Sequence, residues 1–170
     1  MRWILLLLFV ANVAVSVAGL FLLPDRVAVH FGAGGEPNGW GPKWQGFPIF
    51  LCMDFLFLGL FLCSHRIVFW FSPRWVNLPN KDYWLQPEHK EETSEKLTQS
   101  MLRFGIAFFL FFLVVGWLTL SANLSHPVRL EESAFLAALG AFLAYTLYWT
   151  VRFYLDFRIP AASLEEGDRP

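Results

Sequence analysis

Apolar and polar residues in this chain are sorted into long blocks. Four apolar runs, at 3–23, 47–71, 104–124 and 134–155, reach the roughly 17–25 residues that a helix needs to cross the hydrocarbon core of a bilayer. They predict an all-α membrane protein, a bundle of four transmembrane helices forming one domain over 1–170. The intervals between them differ in kind. Residues 24–46 make a loop rich in glycine, proline and tryptophan, 72–103 an interfacial loop followed by an amphipathic helix, and 125–132 the short link of a helical hairpin. A tail over 159–170 is expected to be mobile.

Charge orients the bundle. Of 13 Lys and Arg, only Arg26, Lys43 and Arg129 lie in the first and third connections, so the positive-inside rule places both termini in the cytoplasm and 24–46 outside. Trp40 and Trp44 at one interface, with Trp70, Trp75 and Trp84 at the other, fit aromatic belts. Met1-Arg2, the leucine run and Ser16-Val17-Ala18 resemble a signal peptide, but the apolar stretch continues through Leu23, so an uncleaved first span is expected.

The outer loop is the most specific segment. Between Leu23 and Lys43 it holds five glycines and three prolines. Val27, Val29 and Phe31 alternate with Ala28 and His30, a period-two pattern that predicts a short strand with His30 on its polar face. Gly32, Gly34 and Gly35 permit positive φ, and Glu36-Pro37-Asn38-Gly39 is turn chemistry, so the chain should fold back there. His30, Glu36, Asn38, Trp40 and Lys43 are the candidate binding residues. The same pattern also suits a rigid cap on the bundle.

Within the spans, Asp54 stands out because an ionised carboxylate is costly in the bilayer unless paired or hydrated. Depth counting sets Ser16, Trp117 and Gly140 near its level and Asn12 one turn deeper, so Asn12, Ser16 or the Trp117 indole should donate to it. Small residues four apart, Ala14 and Ala18 on the first span with Ala137, Gly140, Ala141 and Ala144 on the fourth, predict close approach of those two helices. The Phe- and Leu-rich second and third spans read as lipid-facing. Arg152 and Asp156 should pair one turn apart. From Pro87 the acidic residues come first and Lys96 and Arg103 later, which matches a helix dipole and predicts a helix projecting from the membrane before it enters at Phe104.

Composition narrows the function. With 56% hydrophobic and 16% charged residues the chain belongs in a bilayer, and a net charge of −1 gives no case for nucleic acid. Cys52 and Cys63, about 16 Å apart along one helix, are too distant for a disulfide. One histidine without cysteine in the outer loop makes a metal site unexpected, and no cofactor is implied. No nucleophile–base–acid arrangement points to an enzyme. Asn123-Leu124-Ser125 matches a glycosylation sequon at the membrane edge.

Leu23-Pro24-Asp25-Arg26-Val27-Ala28-Val29-His30-Phe31, followed by Gly35-Glu36-Pro37-Asn38-Gly39-Trp40 and Lys43, resembles the signature of the bacterial membrane family catalogued as domain of unknown function 1648. Its best-known members are the SdpI-type immunity proteins. The resemblance covers roughly residues 3 to 60, and Asn77–Leu85 resembles a segment of short members. It implies a multi-pass protein of the bacterial inner membrane with the His-containing loop outside, and in the SdpI type a role in protection against a secreted toxin. The leading expectation is a non-enzymatic membrane protein whose outer loop recognises an extracytoplasmic ligand or membrane protein partner, in toxin immunity or envelope stress. The alternatives are a structural or accessory subunit of a larger membrane protein complex and proton-linked transport through Asp54, and the chain could form a homo-oligomer.

Overall fold

A computed structural model describes residues 1–160 of the chain. All but the first two residues of the expected tail thus lie outside the described residues. Among the described residues four helices are long and apolar enough to cross a membrane: α1 (Arg2–Leu22), α2 (Lys43–Trp70), α4 (Lys90–Leu124) and α5 (Glu132–Asp156), with a single-turn helix α3 (Lys81–Trp84) before α4. Strands β1 (Arg26–Phe31) and β2 (Pro37–Pro42) form an antiparallel hairpin between α1 and α2. Among the described residues the fold is therefore helical with one β-hairpin, and the expected first, second and fourth spans match α1, α2 and α5 to within four residues at each end, whereas α4 starts well before the expected third span.

Helices α1, α2 and α4 make the core. Leu5, Phe61, Leu102 and Phe109 are buried together, and Phe57, Phe104, Phe108 and Phe112 extend this cluster as an aromatic ladder. In lipid, packing rather than exclusion of water holds helices together, so such close ring contacts carry the association, each at roughly 0.5–1.5 kcal/mol. Gly105 lets α4 approach closely: a Cβ there would stand 2.8 Å from both Leu5 and Phe61. Gly19 likewise accepts the ring of Phe47.

The expected seam between the first and fourth spans does not form. α5 packs along α4, has no buried residue, and leaves Ala137, Gly140, Ala141 and Ala144 outside any contact with Ala14 or Ala18. Nothing stands within 4 Å of where a Cβ on Gly140 would be. Aromatic contacts hold α5 instead, through Phe111–Phe142 and Phe104–Trp149. The Phe-rich second and third spans, expected to face lipid, are the core because interlocking rings fill a three-helix interior better than alanines do.

α4 is about 52 Å long, well beyond the roughly 30 Å of hydrocarbon, which is the length a projecting helix requires. There the tryptophan-rich segment folds back on the helix ends. Trp84 is fully buried and donates from Nε1 to the Phe157 carbonyl at 2.8 Å, Asn80 Nδ2 donates to the same oxygen at 2.8 Å, and Thr93 Oγ1 donates to the Trp84 carbonyl at 2.7 Å. Trp84 is thus a core residue, whereas Trp70 and Trp75 are exposed as a belt requires.

Candidate functional site

The hairpin reverses at Gly32–Glu36, where Gly34 and Gly35 have φ of 77° and 74° and Gly32 N–H donates to the Glu36 carbonyl at 2.8 Å. Pro37, Asn38 and Gly39, read as the turn, belong to β2. Gly34 and Gly35 take the left-handed backbone without the steric cost a side chain would add, and the reversal falls on them. Nor does the alternation predict burial. Val27 and Ala28 are both buried while Val29 is exposed, because the register slips after Ala28 and because Ala28 faces α4.

That contact fixes the hairpin. Asn123 Oδ1 accepts from Ala28 N–H at 2.7 Å, and Asn123 Nδ2 donates to the Ala28 carbonyl at 3.1 Å. In an extended strand the N–H and C=O of one residue point to the same side, so the single amide covers that part of the strand edge as another strand would. Asn123 is buried in this role, which removes it as a glycosylation acceptor. The tip is clamped as well. Gly34 N–H donates to Glu132 Oε2 at 2.9 Å, Arg129 Nε to the Gly34 carbonyl at 2.9 Å, and Leu130 N–H to the Gly35 carbonyl at 2.8 Å. A Cβ on Gly35 would collide with the Leu130 carbonyl oxygen.

Lys43 is a brace at the hairpin base. Its Nζ donates to the Leu23 carbonyl at 3.0 Å and lies 3.4 Å from Asp25 Oδ1, and its backbone N–H donates to the Asp25 carbonyl at 3.0 Å. His30 and Asn38 are exposed and pair across the strands through Nδ1 and Oδ1. Glu36 and Trp40 are exposed as well.

Beneath the hairpin lies a cleft of about 320 Å³. Residues Val27 to Phe31 form its roof, Phe47 and Phe50 of α2 and Val115 and Thr119 of α4 its floor, and Leu130 and Phe135 one side. Of the five candidate binding residues only His30 lines it. Glu36, Asn38 and Trp40 decorate the outer surface of the hairpin. The floor residues and Phe135 belong to apolar runs in which nothing marks one position from the next, and Leu130 lies in the short link, where a single leucine carries no sign of a site.

A second polar site lies inside the bundle. Gly19 meets Phe47, Phe9 packs edge-on to Phe55 at 5.0 Å, and Leu5 clusters with Phe61, a register that sets Asn12 level with Asp54. Asn12, Ser16 and Asp54 are all buried, Asp54 at 1% exposure. The expected donors do not serve it in the expected way. Asn12 Nδ2 donates to the carbonyls of Leu8 at 2.8 Å and Phe109 at 2.9 Å, tying α1 to α4, and Asp54 Oδ1 meets no hydrogen-bond donor. Trp117 is 59% exposed on the flank of α4. Counting residues gives depth but not the direction a side chain takes around the helix.

The first span, the hairpin and the start of α2 are therefore one continuous structural unit, and a family model coincides with it. Residues 7–53 match a family model described as a domain of unknown function, DUF1648. No curated protein and no solved structure matches the chain. The DUF1648 segment holds the cleft roof and Asn12, whereas Asn123, Arg129 and Glu132, which clamp the hairpin, come from outside it.

Proposed function

We propose that the clamped hairpin and the helix ends beneath it form a recognition site on the outer face of a bacterial inner membrane, for an apolar or amphipathic molecule arriving at the membrane surface. The cleft carries this reading. Its volume lies at the lower end of the range for ligand sites, its walls are mostly aliphatic and aromatic, and His30 and Thr119 supply the few polar groups that fix orientation. With Asn38 Oδ1 accepting from Nδ1, the His30 ring keeps Nε2 as an acceptor for a ligand. Clamping the hairpin in advance lowers the ordering cost of binding. A secreted amphipathic toxin has the chemistry this cleft suits, which is the form an immunity role would take.

Two measurements test the proposal. In a Cys52→Ser/Cys63→Ser background, Asn38→Cys should react with an impermeant maleimide in intact cells and Glu91→Cys only after lysis; the reverse pattern overturns the outward orientation. A photo-crosslinking residue at Phe50 or Phe135 should then capture an adduct that the same residue at the exposed Trp117 does not. Identical lipid adducts at all three positions would remove the cleft as a site.

The accessory-subunit reading draws its support from α5, which buries no residue and exposes Leu136, Leu143, Leu147 and Val151. Its expected inner docking surface is weakened, since Trp84 is consumed internally. Purification in mild detergent separates the two: co-purifying unrelated subunits in fixed ratio favour the assembly. Proton-linked transport through Asp54 has less support, because the Asn12 amide beside it is committed to backbone carbonyls.

A further inference from the structure

At the opposite end of the bundle from the hairpin, α4 and α5 enclose a polar pocket of about 310 Å³ lined by Lys96, Gln99, Ser100, Arg103, Arg152 and Asp156. Three cations face one carboxylate. Arg152 Nη2 lies 3.1 Å from Asp156 Oδ1, and Lys96 Nζ is 3.0 Å from Glu92 Oε1 and 3.9 Å from the centre of the Trp84 ring. Arg103 has no carboxylate partner among the described residues. The pocket therefore carries uncompensated positive charge.

The same pair of helices continues into the membrane as an apolar groove of about 280 Å³, lined by Ala107, Leu110, Phe111, Val114, Ala138, Ala141, Phe142 and Tyr145. Arg103, Ala107, Leu110 and Val114 follow one another at steps of four, three and four, so the cationic pocket and the groove lie along one face of α4. From Arg103 to Val114 this face runs about 16 Å, a length suited to an acyl chain. Trp149 stands between the helices at the junction, donating from Nε1 to the Ser100 carbonyl at 3.1 Å.

We propose that the α4–α5 seam binds one anionic glycerophospholipid, its phosphate between Arg103 and Arg152 and an acyl chain in the groove above. Charge complementarity selects this occupant. A soluble anion would use the pocket and leave the groove without purpose, and a zwitterionic lipid would bring its own cation to a pocket that already holds excess positive charge. Arginine suits the phosphate because its planar fork meets two oxygens at once. Basic pockets between transmembrane helices on the positively charged side are where anionic head groups bind, and among the described residues that side holds nine of 12 Lys and Arg.

The test is native mass spectrometry of the purified full-length protein with phosphatidylglycerol and phosphatidylcholine of matched chains. Phosphatidylglycerol should be retained preferentially, and Arg103→Gln should weaken it about five-fold, the effect of one cation near a lipid surface. Arg103→Lys, which keeps the charge but loses the fork, should fall between the wild type and Arg103→Gln, Lys90→Gln should leave affinity unchanged, and Ala141→Trp should reduce it by filling the groove. Helical content by circular dichroism confirms that each variant is folded. Equal retention of the two lipids, or an Arg103→Gln protein that keeps the preference, overturns the proposal. So does glycerol phosphate binding as tightly as the lipid with no effect of Ala141→Trp, which would make the site one for a soluble anion.

Discussion

Removing the Asn123 amide should release the hairpin while leaving the bundle assembled. Asn123→Ala takes away the acceptor of Ala28 N–H and the donor to the Ala28 carbonyl, and Ala28 is only 1% exposed. An unsatisfied buried polar group costs about 1–3 kcal/mol, so the two together cost about 2–6 kcal/mol, with the lower half expected once water reaches the opened edge. The core of Leu5, Phe61, Leu102 and Phe109 is untouched. Loss should therefore appear as local opening rather than global unfolding.

Hydrogen exchange of the protein in nanodiscs reads this directly. At 1.4 kcal/mol per factor of ten, a loss of about 2 kcal/mol speeds exchange of the amides of 26–31 about 30-fold, with α1 and α2 little changed. Asn38→Ala is the control, since it removes an exposed amide from the same hairpin and should alter exchange far less. If 26–31 exchange within three-fold of the wild-type rate in Asn123→Ala, the hairpin is not held by that amide and the cleft has no fixed roof.

Three further outcomes are expected. Gly35→Ala strains a residue at φ 74° and drives a methyl into the Leu130 carbonyl, so it should undock the hairpin tip and raise protease sensitivity near 32–36, with a cost of about 1–3 kcal/mol; an unchanged digestion pattern would contradict this. Asp54→Asn replaces a buried carboxylate that has one oxygen unpaired, so detergent melting should show a protein as stable as the wild type to within about 1 kcal/mol, and a marked fall would reveal a partner that requires the acid. Trp84→Phe loses the bond to the Phe157 carbonyl and the cation contact with Lys96 but leaves Asn80 on that carbonyl, so it should cost about 1–3 kcal/mol, seen as faster exchange over 80–97.

The helices were legible because an apolar run long enough to span a bilayer admits few other structures. The hairpin was legible from Val27, Val29, Phe31 and the glycines that follow. Helix order around the axis was not. Ala137, Gly140, Ala141 and Ala144 have the spacing of a packing seam, but small residues only permit close approach and do not compel it, and the choice rests on how the rings of Phe57, Phe61, Phe104 and Phe108 interlock across α2 and α4. The clamp was hidden for another reason. Asn123 lies 95 residues from Ala28, and a lone amide at the end of a helix carries no sign of which backbone it will meet.

α5 shows how a membrane helix with no buried residue can still be placed. At one end the hairpin tip holds it through Gly34 N–H on Glu132 and through the adjoining Leu130. At the other, Trp84 and Asn80 donate to the Phe157 carbonyl and Lys96 Nζ to the Asp156 carbonyl at 3.2 Å. Between these ends the aromatic pairs with α4 leave the seam partly open, both in the apolar groove and in the pocket of Arg103 and Arg152. A helix packed along its whole length would have closed those spaces, since protein interiors tolerate few voids. Polar contacts at its two ends, added to the few aromatic pairs between them, therefore set the position of α5 and keep room along α4 for an elongated guest, and the same tip contacts that hold α5 also hold the roof of the outer cleft.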